Sequence, residues 1–325
     1  MKRRELARLG AGLGLALLGT LASLARAEQG SFATIDLDWH DVSRARAVPV
    51  RLYLPEGAHA QAPVPLIVFS HGIGGSRMGY SYLGRHWASQ GYASLHVQHV
   101  GSDRNLWFGN PLGMVGRLQS AAQESEALAR VQDLRFAVDT LLADTIGAQI
   151  DAERIVAAGH SYGANTALLA VGARVERSGG TIDLRDPRLK AAVVISAPPF
   201  YGESDPRRIL AGVHVPTLHV TATDDVIRIP GYYSGASDRV AVFDSIGSAK
   251  KWLAVFAGGS HSMFTDRGGT GGVALNPQVK AATQELSVAF LRHLFERGEA
   301  ATLAESALRS WPTRFSSIVA RFAGP

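Results

Sequence analysis

The residues Gly159-His160-Ser161-Tyr162-Gly163 place a hydroxyl between glycines two positions away on either side. A serine acts as a nucleophile when a neighbouring base removes its proton. A sharp turn that exposes the hydroxyl brings the two flanking positions together, and a side chain larger than that of Gly or Ala collides there. In a chain with 35 glycines the pattern alone says little, and its context decides. An apolar run at 154–158 leads directly into it and a helical run at 164–171 follows. Strand, turn and helix is the setting the pattern requires.

Such a serine needs a base, an acid to orient the base, and donors for the oxyanion. Among 11 histidines, His261 stands out, because Gly258-Gly259-Ser260-His261-Ser262 follows an apolar run at 252–256, expected as the last strand, and precedes the expected final helix. A histidine in a glycine-rich loop at a strand end can reach over the sheet to Ser161. The run from Val215 ends in Asp224-Asp225, and a carboxylate at a strand end can hold an imidazole in the working tautomer. Asp225 is preferred, with Asp224 left open as the alternative. The order Ser161, Asp225, His261 is one of three known triad orders. Two fixed N–H groups are needed for the oxyanion. Tyr162 supplies one as the residue after the nucleophile. Ile73, in the loop Ser70-His71-Gly72-Ile73-Gly74-Gly75, is assigned the other.

The absence of cysteine excludes thiol nucleophiles, thiolate zinc sites and iron–sulfur clusters. His96 and His99 lie three apart on an expected strand, so they face opposite sides and cannot chelate together. His71 and His160 are expected to pack and hydrogen-bond beneath the loops. No metal and no cofactor are expected.

The elements that must position these residues alternate. Residues 31–38 and 48–54 read as strands, the second at a sheet edge. Short apolar runs at 66–70, 93–99, 154–158, 191–196, 217–221 and 252–256 suit strands covered on both faces. Residues 124–143 carry Ala127, Val131, Leu134, Val138 and Leu141 on one helical face. Asn276-Pro277 reads as a helix cap followed by the first helical residue. Val279, Ala282, Leu286, Ala289 and Leu294 form the inner stripe of that helix. Alternation of this kind means an α/β fold with a mostly parallel central sheet and helices on both faces. Ligands bind at the carboxyl ends of such strands, where the candidate residues fall.

The chain has 325 residues, of which 46% are hydrophobic and 19% charged, which is globular composition. The formal charge of +5 is concentrated at the start, where Lys2, Arg3, Arg4, Arg8 and Arg26 face one acid, Glu5. The rest is close to neutral, so no nucleic-acid partner is expected. Met1-Lys2-Arg3-Arg4, an uncharged apolar stretch at 9–24 and Ala25-Arg26-Ala27 form a cleavable signal peptide over 1–27. Export to the periplasm or medium is expected, with a twin-arginine route open and no membrane association after cleavage. Residues 28–325 show no linker or repeat and read as a single domain.

At these residues the chain resembles the α/β-hydrolase superfamily across 31–297. It is most similar to dienelactone-hydrolase-like and platelet-activating-factor-acetylhydrolase-like bacterial esterases. The likeness is carried by Pro49-Val50-Arg51-Leu52-Tyr53-Leu54-Pro55, Ser70-His71-Gly72-Ile73-Gly74-Gly75, Gly101-Ser102-Asp103-Arg104 and the Ser161 turn. The His261 loop also resembles cutinase-like polyester hydrolases. The resemblance implies a serine hydrolase of the α/β-hydrolase fold. Three departures stand out. Dienelactone hydrolases use cysteine where this chain has Ser161. Plasma-type acetylhydrolases carry their acid where this chain reads Ile195-Ser196-Ala197-Pro198. Polyester hydrolases are often disulfide-stapled.

Residues 199–213 leave no room for a large cap domain. Cover for the site is expected from 101–121 and 226–248, with Trp107, Phe108 and Tyr232 as the substrate-facing side chains. An open, apolar-lined cleft suits small-molecule esters of short to medium acyl length. Acyl transfer and polyester hydrolysis use the same triad and stay open, as does a non-catalytic binding protein on the same fold. Oligomeric state is left open.

Overall fold

The computed structural model describes residues 30–229 and 231–325. The expected signal peptide lies outside the described residues. In chain order the elements begin with β1 (Phe32–Asp41), β2 (Arg46–Pro55), β3 (Val64–Ser70), α1 (Ser81–Ser89) and β4 (Ala93–Val97). Then come α2 (Met114–Ala121), α3 (Glu124–Ala143), β5 (Ile150–His160), α4 (Tyr162–Ala170), β6 (Arg174–Arg177), β7 (Gly180–Asp183) and β8 (Leu189–Ile195). The short α5 (Pro206–Leu210), β9 (Thr217–Ala222), β10 (Ile227–Ile229), β11 (Tyr232–Ser234), α6 (Ala236–Ser245) and β12 (Lys251–Phe256) follow. The chain closes with α7 (Leu275–Phe295), α8 (Gly298–Arg314) and β13 (Val319–Ala323).

Nine strands form one sheet in the order β1-β2-β4-β3-β5-β8-β9-β12-β13. From β4 through β12 every neighbour is parallel, while β1, β2 and β13 join antiparallel. The central strands β3, β4, β8 and β9 are buried at all but Val64 and Lys190, which is why their sequences show apolar runs rather than alternation. Two apolar clusters flank the sheet. One holds Val131, Leu134, Val138 and Leu141 of α3 with Ala164, Ala167 and Leu168 of α4. The other holds Val279, Ala282, Leu286 and Phe290 of α7 with Trp87 and Trp311. The expected helix over 124–143 coincides with α3.

Three expectations need correction. β2 is not an edge strand, because β1 pairs with it along its whole length and takes the edge. Asn276 does not cap α7, which starts at Leu275 after Ala274. The Asn276 N–H instead bonds the Gly272 carbonyl at 2.9 Å, and its side-chain amide donates back to the Thr270 carbonyl at 2.8 Å. The strand at 252–256 and the helix after it are not the last elements. α8 lays Trp311 against the sheet, with Nε1 donating to the Ala282 carbonyl at 3.0 Å, and β13 extends the sheet beside β12.

Candidate active site

β5 runs into α4 through Ser161, whose backbone sits at φ 56°, ψ −125°. A non-glycine residue at positive φ is costly and persists only where its surroundings over-determine it. Here the Ser161 N–H is tied to the Ile195 carbonyl at 2.9 Å. A Cβ on Gly159 would run into the Gly163 backbone, and one on Gly163 into the Ser70 carbonyl. Both glycines are therefore required by close approach. The turn places Ser161 at the carboxyl end of β5.

His261 Nε2 lies 2.8 Å from Ser161 Oγ, and His261 Nδ1 lies 2.8 Å from Asp225 Oδ1. Asp225 is fully buried just past β9. Asp224 is exposed and accepts only from its neighbour Thr223. Thus the structure brings Asp225, and not Asp224, to the imidazole. Burial works to raise the Asp225 carboxyl. The hydrogen bond and charge of His261, the charge of Arg239 and the hydroxyl of Ser196 outweigh it and hold the group well below the usual carboxylate range. It is an anion at neutral pH.

Ser196, at the end of β8, also has positive φ, 53°. Its Oγ donates to Asp225 Oδ2 at 2.5 Å and lies 2.7 Å from His261 Nδ1. The Nδ1–H therefore faces two oxygens, which fixes the tautomer and leaves the Nε2 lone pair toward Ser161. Thr221 Oγ1 gives Asp225 Oδ2 a further bond at 2.8 Å.

A buried relay holds the backbone of His261. The Gly72 N–H donates to Tyr80 Oη at 3.2 Å, Tyr80 O–H to His160 Nδ1 at 2.8 Å, and His160 Nε2–H to the His261 carbonyl at 3.0 Å. Burial, with the nearby charge of His261, pushes His160 down to about 3, so it stays neutral and its roles stay fixed.

The N–H groups of Ile73 and Tyr162 have no hydrogen-bond partner outside the regular elements among the described residues. Both residues line a cavity that opens on Ser161. Beneath them lies Arg130, fully buried on α3. It donates Nη2 to the His71 carbonyl and to Ser70 Oγ, Nη1 to Ser102 Oγ at 2.8 Å, and Nε to Thr166 Oγ1 at 2.9 Å. Its guanidinium lies over the Tyr162 ring. Burial pushes it down to about 10, which still leaves a full charge at neutral pH.

The cavity has a volume of about 450 Å³, within the range of small-molecule sites. Its walls come from both expected segments, through Leu118 and through Ile227, Ile229 and Tyr232. They also come from the β6–β7 hairpin through Val175 and Ile182, and from Pro198 and Phe200. Of the three side chains expected to face substrate, Tyr232 lines the cavity, whereas Trp107 and Phe108 do not. The Trp107 indole is drawn to the loop after β3 instead, with Nε1 donating to the Gly74 carbonyl at 2.8 Å, and Phe108 points into solvent.

Ser196, Arg130 and the Tyr80–His160 relay were not assigned to the site from sequence. Arg130 did leave a signal, a cation in register with Leu134, Ala137 and Leu141 on the apolar face of a helix. Ser196 left none, since its contribution depends on where β9 and the His261 loop arrive. Among the described residues, no group of three or more His, Asp or Glu is arranged as metal ligands.

Residues 46–105, which carry β2, β3, the glycine-rich loop after β3, α1 and β4, match the family described as platelet-activating factor acetylhydrolase, isoform II. No curated protein sequence matches the chain. Among solved structures, the chain is similar to the ferulic acid esterase from Streptomyces cinnamoneus. The two share 21% identity and a TM-score of 0.59, over 86% of this chain and 96% of that one. This likeness, with the sheet order and the Ser161 turn, shows the α/β-hydrolase fold.

Proposed function

We propose that this chain is a serine hydrolase that cleaves carboxylic esters of short to medium acyl length through an acyl-enzyme. The observation that carries the reading is the position of His261, within 2.8 Å of both Ser161 Oγ and Asp225 Oδ1. The partial match to an acetylhydrolase family and the likeness to a ferulic acid esterase support the same chemistry.

In this mechanism Ser161 Oγ adds to the ester carbonyl carbon as its proton passes to His261 Nε2. The oxyanion accepts hydrogen bonds from the Ile73 and Tyr162 N–H groups, and the positive end of α4 adds to them. Collapse breaks the bond to the alcohol oxygen, which takes the proton from His261. Water then gives a proton to His261 and adds to the acyl-enzyme. The second collapse releases the acid and returns the proton to Ser161. Asp225 stays ionised throughout and stabilises the imidazolium.

The described residues include no helix long and apolar enough to cross a membrane. We further read residues 1–27 as a signal peptide and 28–325 as one exported domain. Mass spectrometry of the exported protein should find Glu28 at its N-terminus. A chain still starting at Met1 in the membrane fraction would replace export with anchoring.

The catalytic reading is tested with a fluorophosphonate probe and a panel of p-nitrophenyl esters. Labelling of Ser161 and turnover of esters are expected. A folded protein that neither labels nor hydrolyses any ester sinks the reading.

A further inference from the structure

Two polar atoms beside the nucleophile have no partner among the described residues. The Asn165 side chain makes no hydrogen bond, and its Oδ1 is buried; the Tyr162 hydroxyl is buried and unbonded as well. Asn165 is 7% exposed. Both residues line the cavity next to Ser161. They are three apart on α4, so their side chains emerge on neighbouring positions of one helix face. Buried polar groups are almost always paired, and an unpaired one at a cavity wall points to a ligand group that pairs it.

The cavity also has a direction. His261 must protonate the leaving alcohol, so the alcohol lies on the His261 side of Ser161. The cavity is lined by Ser161, Ile73 and Tyr162 and not by His261. It therefore extends from the oxyanion residues away from the leaving group, where the acyl part of the ester lies.

Resting on the ester-hydrolase reading, we propose that the cavity is an acyl pocket in which Asn165 and the Tyr162 hydroxyl select acyl groups that carry a hydroxyl. A hydroxyl has one donor and two lone pairs. It can donate to Asn165 Oδ1 while accepting from the Tyr162 O–H, and it suits either orientation of the Asn165 amide. An alkyl group of the same size leaves both atoms unpaired. A carboxylate offers no donor to Oδ1. It also meets Glu124 and Glu203 at the cavity wall, where Arg177, 2.7 Å from Glu203 and 2.5 Å from Glu124, is their shared cation. The rest of the wall is apolar (Leu118, Leu128, Val175, Ile182, Phe200), so the selected acyl group is an otherwise apolar chain or ring. A site built to bond a substrate hydroxyl rejects the analogue lacking it far more strongly than an apolar pocket rejects a change of one methylene.

The test compares ethyl esters of 6-hydroxyhexanoic, 7-hydroxyheptanoic, 8-hydroxyoctanoic and 4-hydroxyphenylacetic acids with partners in which CH₃ replaces OH, followed by acid release. For at least one pair, kcat/KM should favour the hydroxyl by tenfold or more. In Asn165→Leu that ratio should fall to near one, and in Tyr162→Phe it should fall severalfold. If the leucine variant fails to fold, Asn165→Ala, which also removes both amide atoms, takes its place: the ratio should fall to near one there, and an unchanged ratio overturns the proposal. Methyl partners that equal or outrun the hydroxyl esters at every length overturn the proposal and leave the ester-hydrolase reading standing. So does a preference that survives unchanged in a folded Asn165→Leu or Tyr162→Phe. Failure to hydrolyse any ester, with no labelling of Ser161, takes down both.

Discussion

The guanidinium carbon of Arg130 lies 4.4 Å from the centroid of the Tyr162 ring. A cation over an aromatic face is attracted to its quadrupole, and more so when both are desolvated. The same Arg130 bonds the carbonyl of His71, two residues before Ile73. One buried side chain thus touches both segments assigned to the oxyanion, and it adds a positive charge behind them in a low-dielectric setting.

Arg130→Met should therefore lower kcat by roughly 10- to 100-fold, less than the roughly 10²–10³ of a lost oxyanion donor because Arg130 acts through the segments it touches, while changing KM by much less. The affinity for a boronic acid, which mimics the tetrahedral oxyanion, should weaken with kcat. A folded variant whose loss falls entirely on KM would place Arg130 in substrate binding instead.

Ser161→Ala and His261→Ala should each lower kcat by about 10⁴ or more, and the double variant little further, because the residues act as a unit. Additive losses in the double variant would contradict a shared step.

Asp225→Asn should be severe, on the order of 10⁴ in kcat, since an amide at this place favours the wrong imidazole tautomer. Asp224→Asn should change kcat by less than about threefold, because Asp224 faces solvent and bonds only Thr223. Ser196→Ala should fall between, near tenfold, as one hydrogen bond to the Asp225 carboxylate is lost. Ranking the three by kcat at saturating ester checks the assignment, and a crippled Asp224→Asn would reverse it.

Acyl length should act through the cavity. Each methylene buried there contributes about 0.8 kcal/mol, or about fourfold in kcat/KM. The rise should run from acetyl to about hexanoyl and then stop, with no jump at an oil–water interface. A maximum at dodecanoyl esters would mean that the wall opens further than its present lining allows.

Acid should destabilise the fold above the range where carboxylates titrate. His96, His160 and His219 are buried and each is pushed down to about 3, against about 6.5 in an unfolded chain. Between those values the unfolded state binds the extra protons. Their stabilisation is complete above about pH 6.5 and is lost as pH falls toward 3, at up to about 1.4 kcal/mol per pH unit for each. Asp133, whose carboxyl burial pushes up, opposes this with one proton at most. Urea midpoints at pH 7 and pH 5 should differ clearly, and equal midpoints would mean that these histidines are not held neutral.

Much of this was written locally in the sequence. The turn at Ser161 is a steric matter among five consecutive residues, and Gly159 and Gly163 announce it without any knowledge of the rest. The helix over 124–143 follows from the spacing of its apolar residues. The parallel strands follow from short apolar runs that no solvent-facing strand would tolerate. His261 was legible because a glycine-rich loop at a strand end has few other uses for an imidazole.

The choice between Asp224 and Asp225 was not local. Both end the same strand, and only the arrival of the His261 loop and of Ser196 from β8 decides which carboxylate is enclosed. The β6–β7 wall and the α8–β13 closure depend likewise on partners far along the chain, as Trp311 does on Ala282. Trp107 shows the reverse case, an exposed aromatic whose type suggested a substrate contact until packing turned its indole to Gly74. Residue type and spacing report short-range sterics and periodic burial, whereas enclosure, the pairing of buried polar atoms and the shape of a cavity are sums over segments that meet only in the folded chain. The sequence by itself therefore determined which groups could do the chemistry, and tertiary structure decided which of them were held together to do it.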